Sequence, residues 1–202
     1  MYSYFKRIAD FTVALVVLVA LSPLLILVWL AIRVNMGRPT LFRQARAGMG
    51  GKPFSIFKFR SMNSARDEEG NLLPDEQRLT PLGKFLRRTS LDELPQLLNV
   101  LQGDMSLVGP RPLYQRYVER YTPQQARRLE VRPGITGLAQ VNGRNSISWE
   151  ARFVLDVEYV DKVSLLLDLS IFAKTVAKVV SSKGISQEGK ATMDEFMGSG
   201  RG

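Results

Sequence analysis

The chain contains neither cysteine nor histidine, so its acid-base, nucleophilic and anion-binding groups are carboxylates, lysine, arginine and hydroxyls. Disulfides, Cys-His zinc centres, thiol nucleophiles and every Ser-His-Asp arrangement are thereby excluded. The adjacent carboxylates Asp92 and Glu93, in Ser90-Leu91-Asp92-Glu93-Leu94-Pro95-Gln96, are the natural candidates. In such a pair one carboxylate can attack phosphorus while the other assists and a divalent cation shields the phosphates. Mg2+ takes one or two carboxylates plus substrate oxygens, so few protein ligands are required. The same residues also read as a capping box, Ser90 with Glu93 three positions on, and acidic side chains suit a first helical turn. Pro95 fits a helix begun at Asp92 better than one begun at Ser90, because its missing N–H matters beyond the first turn.

Three cations are candidate phosphate ligands. Arg111 sits in Gly109-Pro110-Arg111-Pro112, where proline on both sides stiffens the backbone and can hold a guanidinium toward a phosphate. An exposed arginine on a tight turn is the plain alternative. Lys58 interrupts the aromatic run Phe57-Lys58-Phe59, and Arg87 stands beside Arg88; each also reads as an ordinary solvated cation. Asp156-Val157-Glu158 approaches a paired-carboxylate nucleotide-sugar motif but falls inside an expected helix. The Gly-rich dinucleotide fingerprint and the phosphate-binding loop ending in Gly-Lys-Ser/Thr are both missing from the sequence.

The elements around these residues follow from patterning. Phe54 to Phe59 is short, aromatic and bounded by turn residues, which predicts a strand, and Ser64 to Gln77 reads as a solvated loop. Thr80-Pro81 caps a short amphipathic helix with Leu82, Phe85 and Leu86 opposite Lys84, Arg87 and Arg88. That helix suits a membrane surface or a core with a basic outer face. A helix is expected from near Ser90 to Gln102, stopping at Gly103, with others starting at Thr122-Pro123 and Ser148. The last, Leu165 to Val180, sets Leu169, Phe172, Val176 and Val179 against Lys174 and Lys178, a pattern of core or interface. The Gly- and Pro-rich connections Gly103 to Pro112 and Arg132 to Arg144 are where function is expected. The segment after Gly184 reads as a poorly ordered tail.

Phe11 to Ile32 is apolar on every face apart from Thr12 and Ser22, and at about 1.5 Å per residue it is long enough for a hydrocarbon core of roughly 30 Å. Ser22-Pro23 breaks it at its middle. Lys6 and Arg7 precede it, and Arg33, Arg38, Arg43 and Arg46 follow, so both ends are held on the cytoplasmic side. A re-entrant helix broken at Ser22-Pro23 satisfies both constraints better than a spanning one, and a cleaved signal peptide fits poorly because Pro23 would follow the cut. Lys and Arg total 28 against 19 Asp and Glu, a formal charge of +9, which points to an anionic partner: nucleic acid, lipid headgroups or a phosphorylated substrate.

Phe5-Lys6-Arg7 with its broken hydrophobic segment, Phe57-Lys58-Phe59-Arg60-Ser61-Met62 and Ser90-Leu91-Asp92-Glu93-Leu94-Pro95-Gln96 together resemble the bacterial sugar transferases, specifically the small monotopic phosphoglycosyl transferases. Gly103-Asp104-Met105-Ser106-Leu107-Val108-Gly109-Pro110-Arg111-Pro112 and Val131-Arg132-Pro133-Gly134-Ile135-Thr136-Gly137 extend the resemblance over nearly the whole chain. The resemblance implies transfer of a sugar 1-phosphate from a UDP-sugar to polyprenol (undecaprenyl) phosphate with release of UMP, the first membrane step of glycoconjugate synthesis. It implies Asp92 as the nucleophile of a covalent phosphosugar intermediate, Mg2+ held near Asp92, Glu93 assisting at the acceptor phosphate, and Lys58, Arg87 and Arg111 binding phosphate or shaping the site.

The expected fold is α/β, mostly helical: a compact irregular domain with interfacial amphipathic helices and the re-entrant helix. Residues 1–36 form the membrane helix, 37–185 the cytoplasmic catalytic domain, and 186–202 a tail that could select the sugar. The tail, Ser186 to Thr192 followed by Phe196, resembles members using UDP-diacetylbacillosamine; UDP-glucose or UDP-galactose is the alternative donor. Expected partners are the UDP-sugar, the polyprenyl phosphate and membrane phospholipids at the bacterial inner membrane, without nucleic acid, and a homodimer is compatible. The contrasting readings are a non-catalytic basic protein that binds membrane surfaces or nucleic acid, and a glycosyl transferase that releases UDP.

Overall fold

A computed structural model of the chain describes residues 2–143, 147–181 and 195–198. The N-terminal segment folds as two helices, α1 (Tyr2–Ala20) and α2 (Ser22–Met36), bent by 63° at the break. Neither is long and apolar enough alone to cross a membrane, though the bent pair passes by length and composition together. The break lies where expected, and its chemistry is specific. Pro23 has no N–H to give the carbonyl of Val19 four residues back, and the Ser22 hydroxyl donates to that carbonyl instead at 2.8 Å. Even so, the helix cannot run straight through the proline ring.

The hairpin is two-faced. Its inner side packs on the rest of the chain: Ala14 with Ile56, Leu97, Val100 and Met105, and Val28 and Ile32 with Phe59 and Leu86. Its outer side leaves Tyr4, Phe5, Ile8, Val16, Val19, Ile26, Leu27 and Val34 exposed. Lys6 and Arg7 do more than flank it. Arg7 donates to the carbonyls of Val100 and Leu101 at 2.5 and 3.0 Å, and Lys6 pairs with Asp168 at 2.6 Å. Buried Asp10 accepts from the Ser106 hydroxyl at 2.6 Å.

The fold is mostly helical, as expected, and its sheets are small. β1 (Leu41–Ala47) and β2 (Pro53–Phe59) form one antiparallel pair, Leu41 opposite Phe59. The short helix α3 (Asp75–Arg78) interrupts the segment read as a loop, and α4 (Pro81–Thr89) follows, N-capped by the Thr80 side chain. Leu86 of α4 is buried and Leu82 packs in the same cluster, so that face is core; burying a leucine contributes about 2 kcal/mol. Phe85 remains 46% exposed. Arg87 does not share the outer face with Lys84 and Arg88: it turns inward to Ser61 at 3.0 Å. Gly83 permits this close approach, since a Cβ there would meet the Ser61 carbonyl oxygen at 1.8 Å.

After α5 (Gln96–Gln102), strand β3 (Ser106–Val108) pairs in parallel with β4 (Gly134–Thr136). The two Gly-Pro connections are therefore one structure, zipped backbone to backbone. Between them lie α6 (Pro123–Ala126), with its Thr122 capping box, and 3-10 segments at Gln115–Arg120 and Arg127–Leu129; α7 (Leu138–Asn142), α8 (Trp149–Lys162) and α9 (Leu165–Ser181) close the fold.

On helix α9 the described part of the stripe expected as core or interface is not core. Leu169, Phe172 and Val176 are 56%, 49% and 49% exposed, while Ile171 is buried. The helix is rotated by its polar ties: Asp168 accepts from Tyr159 and Tyr2 at 2.7 and 2.6 Å, and Thr175 meets Thr136 at 2.7 Å. The expected tail falls outside the described residues except for Glu195–Gly198, where Phe196 is 2% exposed among Tyr117, Tyr121, Trp149 and Phe153.

Candidate active site

Asp92 and Glu93 lie in a 3-10 turn, Leu91–Glu93, between α4 and α5. The capping box expected at Ser90 does not form, because Ser90 is in use as the end of the previous helix. Its backbone is left-handed (φ 58°, ψ 16°) and its N–H bonds the Arg87 carbonyl at 3.2 Å. An N-cap needs extended backbone, so one residue cannot serve both helices. A non-glycine residue held there costs on the order of 1 kcal/mol. Helix α5 begins only at Gln96, after Pro95, which agrees with the discomfort of that proline in an earlier start.

The turn points the two carboxylates into different surroundings. Glu93 is clamped: Lys58 Nζ donates to Oε1 at 2.6 Å and Arg111 Nη2 to the same oxygen at 2.7 Å. Burial alone would raise the Glu93 carboxyl, but the Arg111 and Lys58 charges overcome it and hold the group well below the usual carboxylate range. Asp92 is 8% exposed, and among the described residues no hydrogen bond reaches its carboxylate. Burial, then the Glu93 charge, push its pKa up to about 6 despite the opposing charges of Lys58, Arg87 and Arg111. The structure thus brings Asp92, Glu93, Lys58 and Arg111 together, with Arg87 close enough to act on Asp92 through its charge. Ser22 and Pro23 stand apart at the hairpin bend.

Each group is positioned from behind by residues that sequence reasoning missed. Asn99, fully buried, uses both ends of its amide on β2: Oδ1 accepts from Phe57 N–H at 3.0 Å and Nδ2 donates to the Ser55 carbonyl at 2.8 Å. It locks the helix after the carboxylates to the strand that carries Lys58. A lone amide within Leu97-Leu98-Asn99-Val100-Leu101 is the signal that could have found it. Arg111 is held through its backbone, because Arg128 donates to its carbonyl at 2.6 Å while pairing with Asp156 at 2.8 Å, both buried. Asp156 is therefore a structural counter-ion. The Gly-Pro-Arg-Pro loop rests on glycine contacts: a Cβ on Gly109 would meet the Arg132 carbonyl at 2.5 Å, and one on Gly134 the Gly109 nitrogen at 2.1 Å.

No group of three or more His, Cys, Asp or Glu able to cage a metal occurs among the described residues. The donor set nevertheless suits Mg2+: one buried carboxylate, Asp92, without a protein partner, and cations around it that would hold the phosphates supplying the remaining oxygens.

A buried carboxylate without a protein partner, with Lys58, Arg87 and Arg111 acting on it through their charge, is a site whose chemistry suits an anionic ligand. The sequence profile described as bacterial sugar transferase matches residues 1–182. The chain is 54% identical over 195 residues to the uncharacterized sugar transferase EpsL of Bacillus subtilis, covering 96% of each. It is 41% identical over 187 residues to a UDP-glucose:undecaprenyl-phosphate glucose-1-phosphate transferase of Caulobacter vibrioides, covering 88% of this chain and 70% of that one. An undecaprenyl-phosphate galactose phosphotransferase of Salmonella typhimurium is 41% identical over 194 residues, 88% of this chain but 40% of its own. The chain belongs to the bacterial sugar transferase family and is an enzyme of that family.

Proposed function

We propose that the chain transfers a sugar 1-phosphate from a UDP-sugar to polyprenyl phosphate through an aspartyl-phosphosugar intermediate. The observation that carries this is the contrast between the two carboxylates: Glu93 spends its charge on Lys58 and Arg111, whereas Asp92 is buried and unpartnered. In the first step an Asp92 carboxylate oxygen forms a bond to the phosphorus bearing the sugar. The bond from that phosphorus to the bridging oxygen breaks, and UMP leaves with the electron pair. A phosphate oxygen of the lipid then attacks the same phosphorus, and the Asp92–phosphorus bond breaks to restore the carboxylate.

Lys58, Arg87 and Arg111 neutralise the phosphate oxygens that gather charge in both steps. Glu93 serves as the anchor that orients Lys58 and Arg111, a role its clamped carboxylate suits better than that of a base. Mg2+, bound at Asp92, would shield the diphosphate and ease departure of UMP. The outward apolar surface of the hairpin supports a re-entrant anchor in the cytoplasmic leaflet of the bacterial inner membrane, where a soluble donor and a lipid acceptor meet.

Two donor readings compete. The relatives named for glucose and galactose favour a neutral hexose, and the tail resemblance favours a diacetylated amino sugar. Product analysis of detergent-purified protein with undecaprenyl phosphate, Mg2+ and a panel of UDP-sugars separates them. Metal-dependent UMP release that disappears in Asp92→Asn is the expected result. UDP release would instead mean an ordinary glycosyl transferase, and salt-sensitive DNA binding without turnover a non-catalytic protein.

A further inference from the structure

Gln96 is 1% exposed, and its side chain makes no hydrogen bond among the described residues. Its Nε2 is, among the described residues, one of five buried side-chain nitrogen or oxygen atoms without a partner. The other four belong to Arg46, Arg78, Gln115 and Gln140, and each of those side chains bonds through a different atom, to Gln44, Asp75, Gly51 and Ile135 respectively. Of these five side chains, only that of Gln96 makes no hydrogen bond among the described residues. A buried amide with no acceptor costs free energy in the resting protein, so it marks a place where an acceptor arrives in function.

The position of Gln96 says which acceptor. The backbone is right-handed through Leu94 and Pro95, so Asp92, Gln96 and Asn99 follow one another at four and three residues, the spacing of a shared helix face. All three are buried. Asn99, one turn beyond, is fully engaged with β2, while Asp92, one turn before, has a bare carboxylate. The Gln96 amide is left between a satisfied neighbour and a reactive one. The Glu93 carboxylate already takes Lys58 and Arg111, which leaves Asp92 as the place where new oxygens appear on this face.

We propose that Gln96 Nε2–H donates a hydrogen bond to a non-bridging oxygen of the phosphoryl group as it bonds to Asp92, which makes Gln96 a further catalytic residue. The inference rests on the reading of Asp92 as nucleophile. The step needs no proton: the Asp92–phosphorus bond forms, UMP departs with its electron pair, and Gln96 shares but does not transfer its hydrogen. The phosphoryl oxygens stand farther from the Asp92 backbone than the carboxylate does, so bonding of phosphorus to Asp92 brings an acceptor toward this face. Such a contact is stronger in the transition state than in the resting enzyme and lowers the barrier.

The test is Gln96→Met, which nearly keeps shape while removing the donors. The expected result is a fall in kcat for UMP release of about tenfold or more with donor KM changed less than about threefold. The protein-bound phosphosugar trapped without acceptor falls with it, and Tm is unchanged or raised because an idle amide has been removed. Unchanged kcat, or a lowered Tm with activity lost only in proportion to folded protein, would overturn the proposal. Gln96→Glu guards against a misfolded Met variant: it offers oxygens to a phosphoryl group and must turn over more slowly than wild type. Asp92→Asn, run alongside, isolates the premise, since its retaining activity would sink the nucleophile reading whatever the Gln96 variants do.

Discussion

Replacing Asp92 by Asn should abolish turnover and at the same time stabilise the metal-free protein. The Asp92 carboxyl is pushed from 3.8 to about 6, chiefly by burial, so the folded protein holds this proton more tightly than the unfolded chain does. With pKa raised on folding, stability is unaffected below about pH 4, falls as pH climbs toward 6, and stays lowered above it. A shift of about two units corresponds to about 3 kcal/mol. An asparagine amide left unpaired in the same place returns about 1–2 kcal/mol of that. The net gain at pH 7.5 is then about 1–2 kcal/mol, or roughly 3–6 °C in Tm for a chain of this size. The assay is thermal unfolding in detergent with EDTA for both proteins across pH 4 to 8, and the two curves should cross, the variant being the less stable by about 1–2 kcal/mol at the acid end, where only the amide penalty remains. A variant less stable than wild type at pH 7.5, or a difference that does not change with pH, would refute the reasoning. Added Mg2+ should raise the wild type and leave the variant where it was.

Glu93→Gln should behave oppositely, losing about 1–3 kcal/mol at neutral pH because Lys58 and Arg111 lose a shared counter-charge; urea unfolding checks the sign against Asp92→Asn. Since the Glu93 charge also raises the Asp92 pKa, the proton bound at Asp92 in metal-free Glu93→Gln should titrate below its wild-type value, read by infrared difference spectroscopy. Asn99→Ala should cost about 2–4 kcal/mol, from a cavity and two orphaned backbone groups on β2, and lower turnover by releasing the Lys58 strand; Tm and initial rates report both. Gly134→Ala would drive a methyl into the Gly109 backbone, so donor KM should rise as the Arg111 loop is displaced, and a substitution that left Tm and KM unchanged would show that the close approach does not hold the loop.

How much of this was legible depends on whether the cause was local. The break at Ser22-Pro23, the Thr80, Thr122 and Ser148 caps and strand β2 were readable because proline geometry, capping chemistry and a short aromatic run act over a few residues. Strand β1, Leu41-Phe42-Arg43-Gln44-Ala45-Arg46-Ala47, has no clean apolar alternation, its arginines Arg43 and Arg46 being three apart and so on opposite faces; it exists because β2 pairs with it. The parallel β3–β4 ladder joins segments almost thirty residues apart, and its only local sign was a surplus of glycine and proline. Ser90 misled because its cap signature was real but already committed to the end of α4. In the site, elimination pointed to Asp92 and Glu93 and residue type offered Lys58 and Arg111, while the family resemblance brought in Arg87 with them; Asn99 showed only as a lone amide in an apolar run, and Arg128 and Asp156 act through contacts that no spacing reveals. The α9 stripe left core and interface open, and Lys6, Tyr2 and Tyr159 turn it outward through Asp168 by contacts from elsewhere in the chain.

The hairpin and the site are mechanically one piece. Arg7 of α1 donates to the carbonyls of Val100 and Leu101 at the end of α5, Ala14 packs on Leu97 and Val100 of the same helix, and the start of α5 carries the turn with Asp92 and Glu93. On the opposite flank, α2 packs through Val28 and Ile32 on Leu86, one residue before Arg87. Both arms of the bent pair therefore brace the two helices that the Leu91–Glu93 turn connects. Under the proposed function this has a physical purpose. A polyprenyl phosphate cannot leave the bilayer, so the nucleophile must stand at a fixed depth beside it, and a site on a flexible tether would forfeit much of the gain from orienting acceptor against intermediate. Because the same helices anchor the chain and carry the chemistry, a change at the bend that alters how the arms splay should alter turnover without touching a single catalytic side chain.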